Sequence, residues 1–250
     1  MIKRESKGFS LVELVIVLVV IGLIVAGIAA GSNILYAAKL NKVITELRNY
    51  EIAFDKFRIK YNYWPGDMQN ATSYWGVYNS STNEKGVTNG DGSETYNSYQ
   101  ERYQAWSHLA KSGMIIGDYN GYGGSYIQQF PLINVPESGA LKNAIYFADF
   151  AHDIYNTAGF FIQLKDGSLT DGYWDGNMNS EDVYYIDRKI DDGQSGIASA
   201  TSGDIYAVRS ESLSSNNDKC VSAYQSADDA DYVLNDSGKN CRLVLWLEKR

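Results

Sequence analysis

Lys7–Ile24 reads KGFSLVELVIVLVVIGLI. The stretch is almost wholly apolar, yet Glu13 sits inside it. A carboxylate in hydrocarbon costs several kcal/mol unless it is paired or neutralised, so a membrane-length segment that carries one marks a functional position. The apolar run extends from Phe9 to about Ala30. At 1.5 Å per residue, roughly 22 residues of helix span about 33 Å, enough to cross a bilayer core. The residues before it, MIKRESKG, include Lys3, Arg4 and Lys7. Basic flanking residues of this kind favour the cytoplasmic side, which orients the N-terminus inward. A cleaved signal peptide is the competing reading, since small residues follow in AGIAAGS (Ala26–Ser32). The helical pattern continues straight through them, which a cleavage site does not require.

Beyond the apolar run the period changes to heptads. Leu40, Val43, Leu47, Tyr50, Phe54, Phe57, Tyr61 and Trp64 alternate in steps of three and four. That spacing lays one apolar stripe along a helix. Lys39, Lys42, Glu46, Arg48, Glu51, Asp55 and Lys56 occupy the other faces. One helix is predicted from about Ser10 to Arg58, apolar all round at first and amphipathic after. A stripe so rich in aromatic residues, ending at the turn signal WPGD (Trp64–Asp67), predicts packing on the protein's own body rather than a coiled coil.

The motif at the start is similar to the processing signature of type IV prepilins and type II secretion pseudopilins. The residues that carry the resemblance are the basic leader ending in Gly8 and FSLVELVIVLVVIG (Phe9–Gly22). By that resemblance, a prepilin peptidase would cut between Gly8 and Phe9 and the new Phe9 amine would be N-methylated. Glu13 would then meet the Phe9 ammonium of a neighbouring subunit during assembly. The implied organisation is a leader over 1–8, a long helix over 9–58 with 9–30 as transmembrane segment and filament core, and a soluble domain over 59–250. The implied partners are the peptidase/methylase, other pilin or pseudopilin subunits and the inner membrane. The implied location is that membrane, with a periplasmic body, and then a pilus or pseudopilus.

The body has its own pattern. RYQAWSHLAKSGM (Arg102–Met114) reads as a short helix ended by Gly113. Ala144–Phe150, Gly159–Asp166, Asp204–Ser210 and Arg242–Lys249 read as strands. No long helical pattern separates them, so a mainly antiparallel sheet is predicted, with the long helix over one face. The fold class is α+β and pilin-like. The two cysteines, Cys220 and Cys241, are expected to pair in an oxidising compartment, with unpaired core thiols as the alternative. Closing such a loop is worth about 3 kcal/mol in the chain-entropy model.

The 250 residues carry a net charge of -8, which argues against a nucleic-acid partner. His108 and His152 are the only histidines and have no zinc spacing. His108 is expected to be a surface or partly buried structural residue. No nucleophile elbow, phosphate loop or dinucleotide fingerprint occurs, so the chain is not expected to be an enzyme. DGYWDGNMNSED (Asp171–Asp182) approaches an EF-hand-type loop, with Asp171, Asp175, Asn179 and Asp182 in ligand positions and Tyr173 breaking the pattern. Calcium is the cation such oxygens take; an Asp/Asn/Gly turn followed by an N-capped helix is the alternative. Val183, Ile186 and Ile190 are expected to face inward from that helix. NGDGSE (Asn89–Glu94) is a second acidic turn with a looser pattern. Three roles compete on these observations: a filament subunit, a minor tip or adhesin-type binding subunit, and a membrane-tethered periplasmic enzyme.

Overall fold

The computed structural model describes residues 10–78, 86–123, 130–154, 157–167, 176–190, 204–209, 220–221, 232–234, 238–239 and 241–249. The chain divides into two compact units, Met1–Lys39 and Leu40–Arg250. Helix α1 (Leu11–Tyr61) runs through both, without a proline to break it. In the first unit, every residue from Leu11 to Ile28 is exposed, including twelve Leu, Val and Ile side chains from Leu11 to Ile24. This is the one described helix long and apolar enough to cross a membrane.

In the second unit, α1 buries the heptad stripe. Leu40, Val43, Leu47, Phe54, Phe57 and Trp64 are all within 3% of complete burial. Tyr50 and Tyr61 pack against the same core at partial exposure. The stripe meets a four-stranded antiparallel sheet built from β1 (Ala144–Ile154), β2 (Thr157–Asp166), β3 (Ile205–Arg209) and β4 (Cys241–Lys249). The spatial order is β1-β2-β4-β3, so the third strand in sequence takes the outer edge beside the fourth. The four predicted strands are present, with β1 extended by four residues past Phe150 because it forms a long ladder with β2.

The period-two alternation of a strand decides which residues meet α1. Tyr146 on β1 packs at a tilt against Tyr50 at 4.9 Å, and Phe160 on β2 stacks on Trp64 at 4.2 Å. Polar groups fix the same contact. Glu46 accepts hydrogen bonds from Tyr146 Oη at 2.7 Å, Ser138 Oγ at 2.9 Å and the Gly139 N–H at 3.1 Å. Lys42 Nζ donates to the Gly139 carbonyl at 2.7 Å. One helical turn thus clamps the 138–140 turn and β1 together.

The opposite face of the sheet is buried too. Phe161, Tyr206, Val208, Val244 and Trp246 form a second, smaller cluster there. A polar row lies on the same face: Arg242 donates to Gln163 at 2.9 Å, and Asp149 pairs with Arg102 at 2.8 Å. Burial pushes Asp149 up to about 6 even beside Arg102.

Three shorter helices complete the described body: α2 (Thr72–Trp75), α3 (Tyr99–Lys111) and α4 (Ser180–Ile190). The sequence pattern placed α3 three residues too late. Ser98 and Glu101 form a reciprocal capping box that starts the helix at Tyr99. On α4, Val183, Ile186 and Ile190 face inward as expected. Cys220 and Cys241 are joined in a disulfide. Around it, Ser180 Oγ donates to the Cys220 carbonyl at 2.9 Å and Met178 bridges Cys241. The disulfide therefore ties the start of β4 to the start of α4.

Candidate functional site

The signature segment is seen from Ser10 onward; Gly8 and Phe9 lie outside the described residues. Glu13 occupies the first turn of α1. Its Oε2 accepts a hydrogen bond from the Ser10 N–H at 2.8 Å, and its own N–H donates to Ser10 Oγ at 3.2 Å. The Leu14 N–H donates to the Ser10 carbonyl at 3.2 Å, the first bond of the helical ladder. Ser10 is therefore the N-cap and Glu13 the third helical residue of a capping box. Sequence reading singled out Glu13 and passed over Ser10, although the S-x-x-E spacing was present. Around the pair the helix surface is apolar on every side. The arrangement presents one carboxylate at the end of an exposed apolar helix.

The EF-hand-type loop over 171–182 is described from residue 176 onward. Asp171 and Asp175 lie outside the described residues. Asn179 Oδ1 accepts from the Asp182 N–H at 2.8 Å, so Asn179 caps α4 and Asp182 sits three residues into it. His152 lies on β1, with its side chain outside the described residues.

A third place gathers acidic groups. Asp67, Asp91 and Glu101 each bring a carboxylate oxygen within 4.8 Å of the others. Gly66, at φ +95°, makes the turn that points Asp67 inward. Asp67 Oδ1 accepts from the N–H groups of Gly92 at 2.7 Å and Ser93 at 3.2 Å, and its Oδ2 from Glu94 at 2.9 Å. Glu101 accepts from the Asp91 N–H at 3.2 Å and the Ser98 N–H at 3.0 Å. Burial pushes Asp67 up to about 7, while bonds from Ser93 and Asn97 hold the exposed Asp91 down to about 2. These are hard oxygens of the kind that hold divalent cations. In this structure their observed work is to fold the 90–98 loop onto the WPGD turn. Asp67 and Glu101 were missed from sequence because the bonds they make to the loop span as many as 27 residues.

His108 fastens the same turn and corrects the expectation of a surface or partly buried residue, since it is fully buried. Its Nδ1 accepts from the Gly66 N–H at 2.9 Å, and Nε2 lies 3.1 Å from the Thr88 carbonyl. An acceptor on one nitrogen and a donor on the other define the neutral ring. It stacks on Phe57 at 6.0 Å between centroids. Burial pushes its imidazolium down to about 4.

This depressed value makes a pH prediction. Between the unfolded value near 6.5 and the folded value near 4, the unfolded chain binds the extra proton, so acid removes stability in that window. The full contribution is about 3 kcal/mol. Asp67, raised in the fold, acts in the opposite direction, so the comparison is made against a variant. His108→Gln can accept from Gly66 and donate to Thr88 without titrating. Relative to wild type, it is expected to gain about 3 kcal/mol of stability as pH falls from 6.5 to 4. Urea denaturation at each pH measures the difference.

No curated protein and no solved structure matches the chain. One family model does, described as the prokaryotic N-terminal methylation motif, over residues 3–29. It covers the basic residues, Gly8, Phe9, Ser10, Glu13 and the exposed apolar part of α1. The start of this chain, residues 3–29, is thus a prepilin-type signature, the mark of type IV pilins and pseudopilins.

Proposed function

We propose that the protein is a structural subunit of a type IV pilus or a type II secretion pseudopilus. The single observation that carries this reading is the methylation motif over residues 3–29, with Glu13 inside an otherwise apolar helix. A prepilin peptidase removes residues 1–8 by cutting between Gly8 and Phe9, and the new amine is methylated. Before assembly, residues 9–30 hold the subunit in the inner membrane with its body on the periplasmic side. Residues 59–250 form the body, stapled by Cys220–Cys241.

The physics of assembly follows from solvation. A lone carboxylate and a lone ammonium are each costly in hydrocarbon, and a pair offsets much of both penalties. Pairing Glu13 of one subunit with the Phe9 ammonium of the next therefore fixes the axial register of neighbouring helices. Glu13→Ala is expected to leave insertion and processing intact and to reduce recovered polymer by tenfold or more, because the neighbour's ammonium then lacks a counter-charge. The check is the yield of sheared or overexpressed filaments against the amount of processed subunit in the membrane. Incorporation of Glu13→Ala at the wild-type level contradicts the pairing.

A further inference from the structure

We propose that Ser10 is a positioning residue for assembly: its capping box with Glu13 aims the carboxylate that pairs with the neighbouring subunit. The inference rests on the filament-subunit reading and adds to it a role for a residue that the Glu13–Phe9 pair does not include.

The geometry is specific. A glutamate side chain has three rotatable bonds and, at the end of an exposed helix, many rotamers. Here it is bound at both ends of one short cycle. The Ser10 N–H holds Oε2 at 2.8 Å, and Ser10 Oγ receives the Glu13 N–H at 3.2 Å. The side chain is thereby folded back toward the N-terminal end of α1, one residue from Phe9. Among the described residues only Oε2 is engaged, so one carboxylate oxygen serves its own helix and Oε1 has lone pairs to offer a partner. Two of the four orphan N–H groups of the first turn are satisfied by the same two side chains. In hydrocarbon these groups have no water to turn to, which strengthens the preference for this arrangement over an extended glutamate.

A carboxylate already held in place loses less freedom when the partner ammonium arrives, and preorganisation of this kind favours association. Ser10 contributes this without touching the ammonium. A helix cap that merely started the helix would act equally well with a neutral side chain at position 13, since glutamine also completes a capping box. A residue that aims the charge acts only while the charge is there.

The experiment uses the full chain, co-expressed with tagged wild-type subunit in a strain that assembles the filament. The ratio of variant to wild type is measured in membranes and in filaments, and mass spectrometry reads the mature N-terminus. Ser10→Ala is expected to be inserted and cut normally and to fall about tenfold in relative incorporation, from loss of the cap. Ser10→Thr, which retains the hydroxyl, is expected to restore incorporation. In a Glu13→Gln background, Ser10→Ala is expected to add little further loss. Wild-type incorporation of Ser10→Ala overturns the proposal, as does failure of Ser10→Thr to rescue, or an undiminished Ser10→Ala loss in the Glu13→Gln background. The parent reading fails by a different result: no cleavage after Gly8, or normal incorporation of Glu13→Gln.

Discussion

Trp106→Ala is expected to destabilise the body by about 4 kcal/mol, the largest loss from any single truncation considered. Trp106 is fully buried on α3 and stands edge-on to two residues of α1, Tyr50 at 5.1 Å and Phe54 at 5.7 Å. The indole is the wedge through which α3 holds α1. Truncating it to a methyl group removes the transfer energy of the ring and leaves a cavity walled by aromatic rings. Rigid rings collapse poorly into such a space, so the cavity contribution is retained. Trp106→Phe is expected to cost far less. It keeps most of the ring packing and deletes an indole N–H that has no hydrogen-bond partner among the described residues, a buried donor of the kind that itself costs about 1–3 kcal/mol. Ile116→Ala is the matching control, because Ile116 is fully exposed and its truncation is expected to stay within about 0.5 kcal/mol. Urea denaturation of the full chain in detergent measures all three. A body has about 5–15 kcal/mol of stability, so the first variant approaches the threshold of folding.

Gly66→Ala is expected to cost about 3 kcal/mol or more, through the backbone rather than the core. Gly66 has φ +95°, where a side chain is strained by about 1–2 kcal/mol. A Cβ there would stand 2.3 Å from the Glu101 carbonyl oxygen and 3.1 Å from the Ala105 nitrogen. Both atoms belong to the backbone of α3, so relief requires the turn and the helix to separate. That separation breaks the His108–Gly66 bond and disturbs Asp67, whose three N–H donors come from the 90–98 loop. Gly113→Ala divides the effect into its parts. Gly113 has a similar φ of +73° but open space around the added atom. Its variant reports conformational strain alone, and the difference between the two reports the clash with α3. Equal losses at the two positions would show that the close approach at Gly66 is unimportant.

These two sites show where the sequence was legible. The stripe from Leu40 to Trp64 could be read because its period is written in consecutive residues of one helix. The strands could be read for the same reason, as could the inward face of α4. Strand order could not: nothing in the local pattern of Ile205–Arg209 says that it pairs beyond β4 rather than beside β2. The burial of the second sheet face was also not apparent, since Gln163, Lys165 and Arg242 interrupt its apolar residues and suggest solvent. His108 lay on a face judged partly exposed. Its burial comes from the WPGD turn and the Thr88 segment, both remote in sequence. The Asp67–Asp91–Glu101 cluster was hidden in the same way. At the N-terminus the local signal was complete, because motif, capping box and apolar run all lie within a few turns of one helix.

The central claim is that residues 1–8 are a leader and that Phe9 becomes the working N-terminus. Mass spectrometry of the protein recovered from membranes tests it most directly. The account predicts a chain that begins at Phe9 and carries an N-methyl group. A chain that begins at Met1, or unmethylated at another residue, would contradict it.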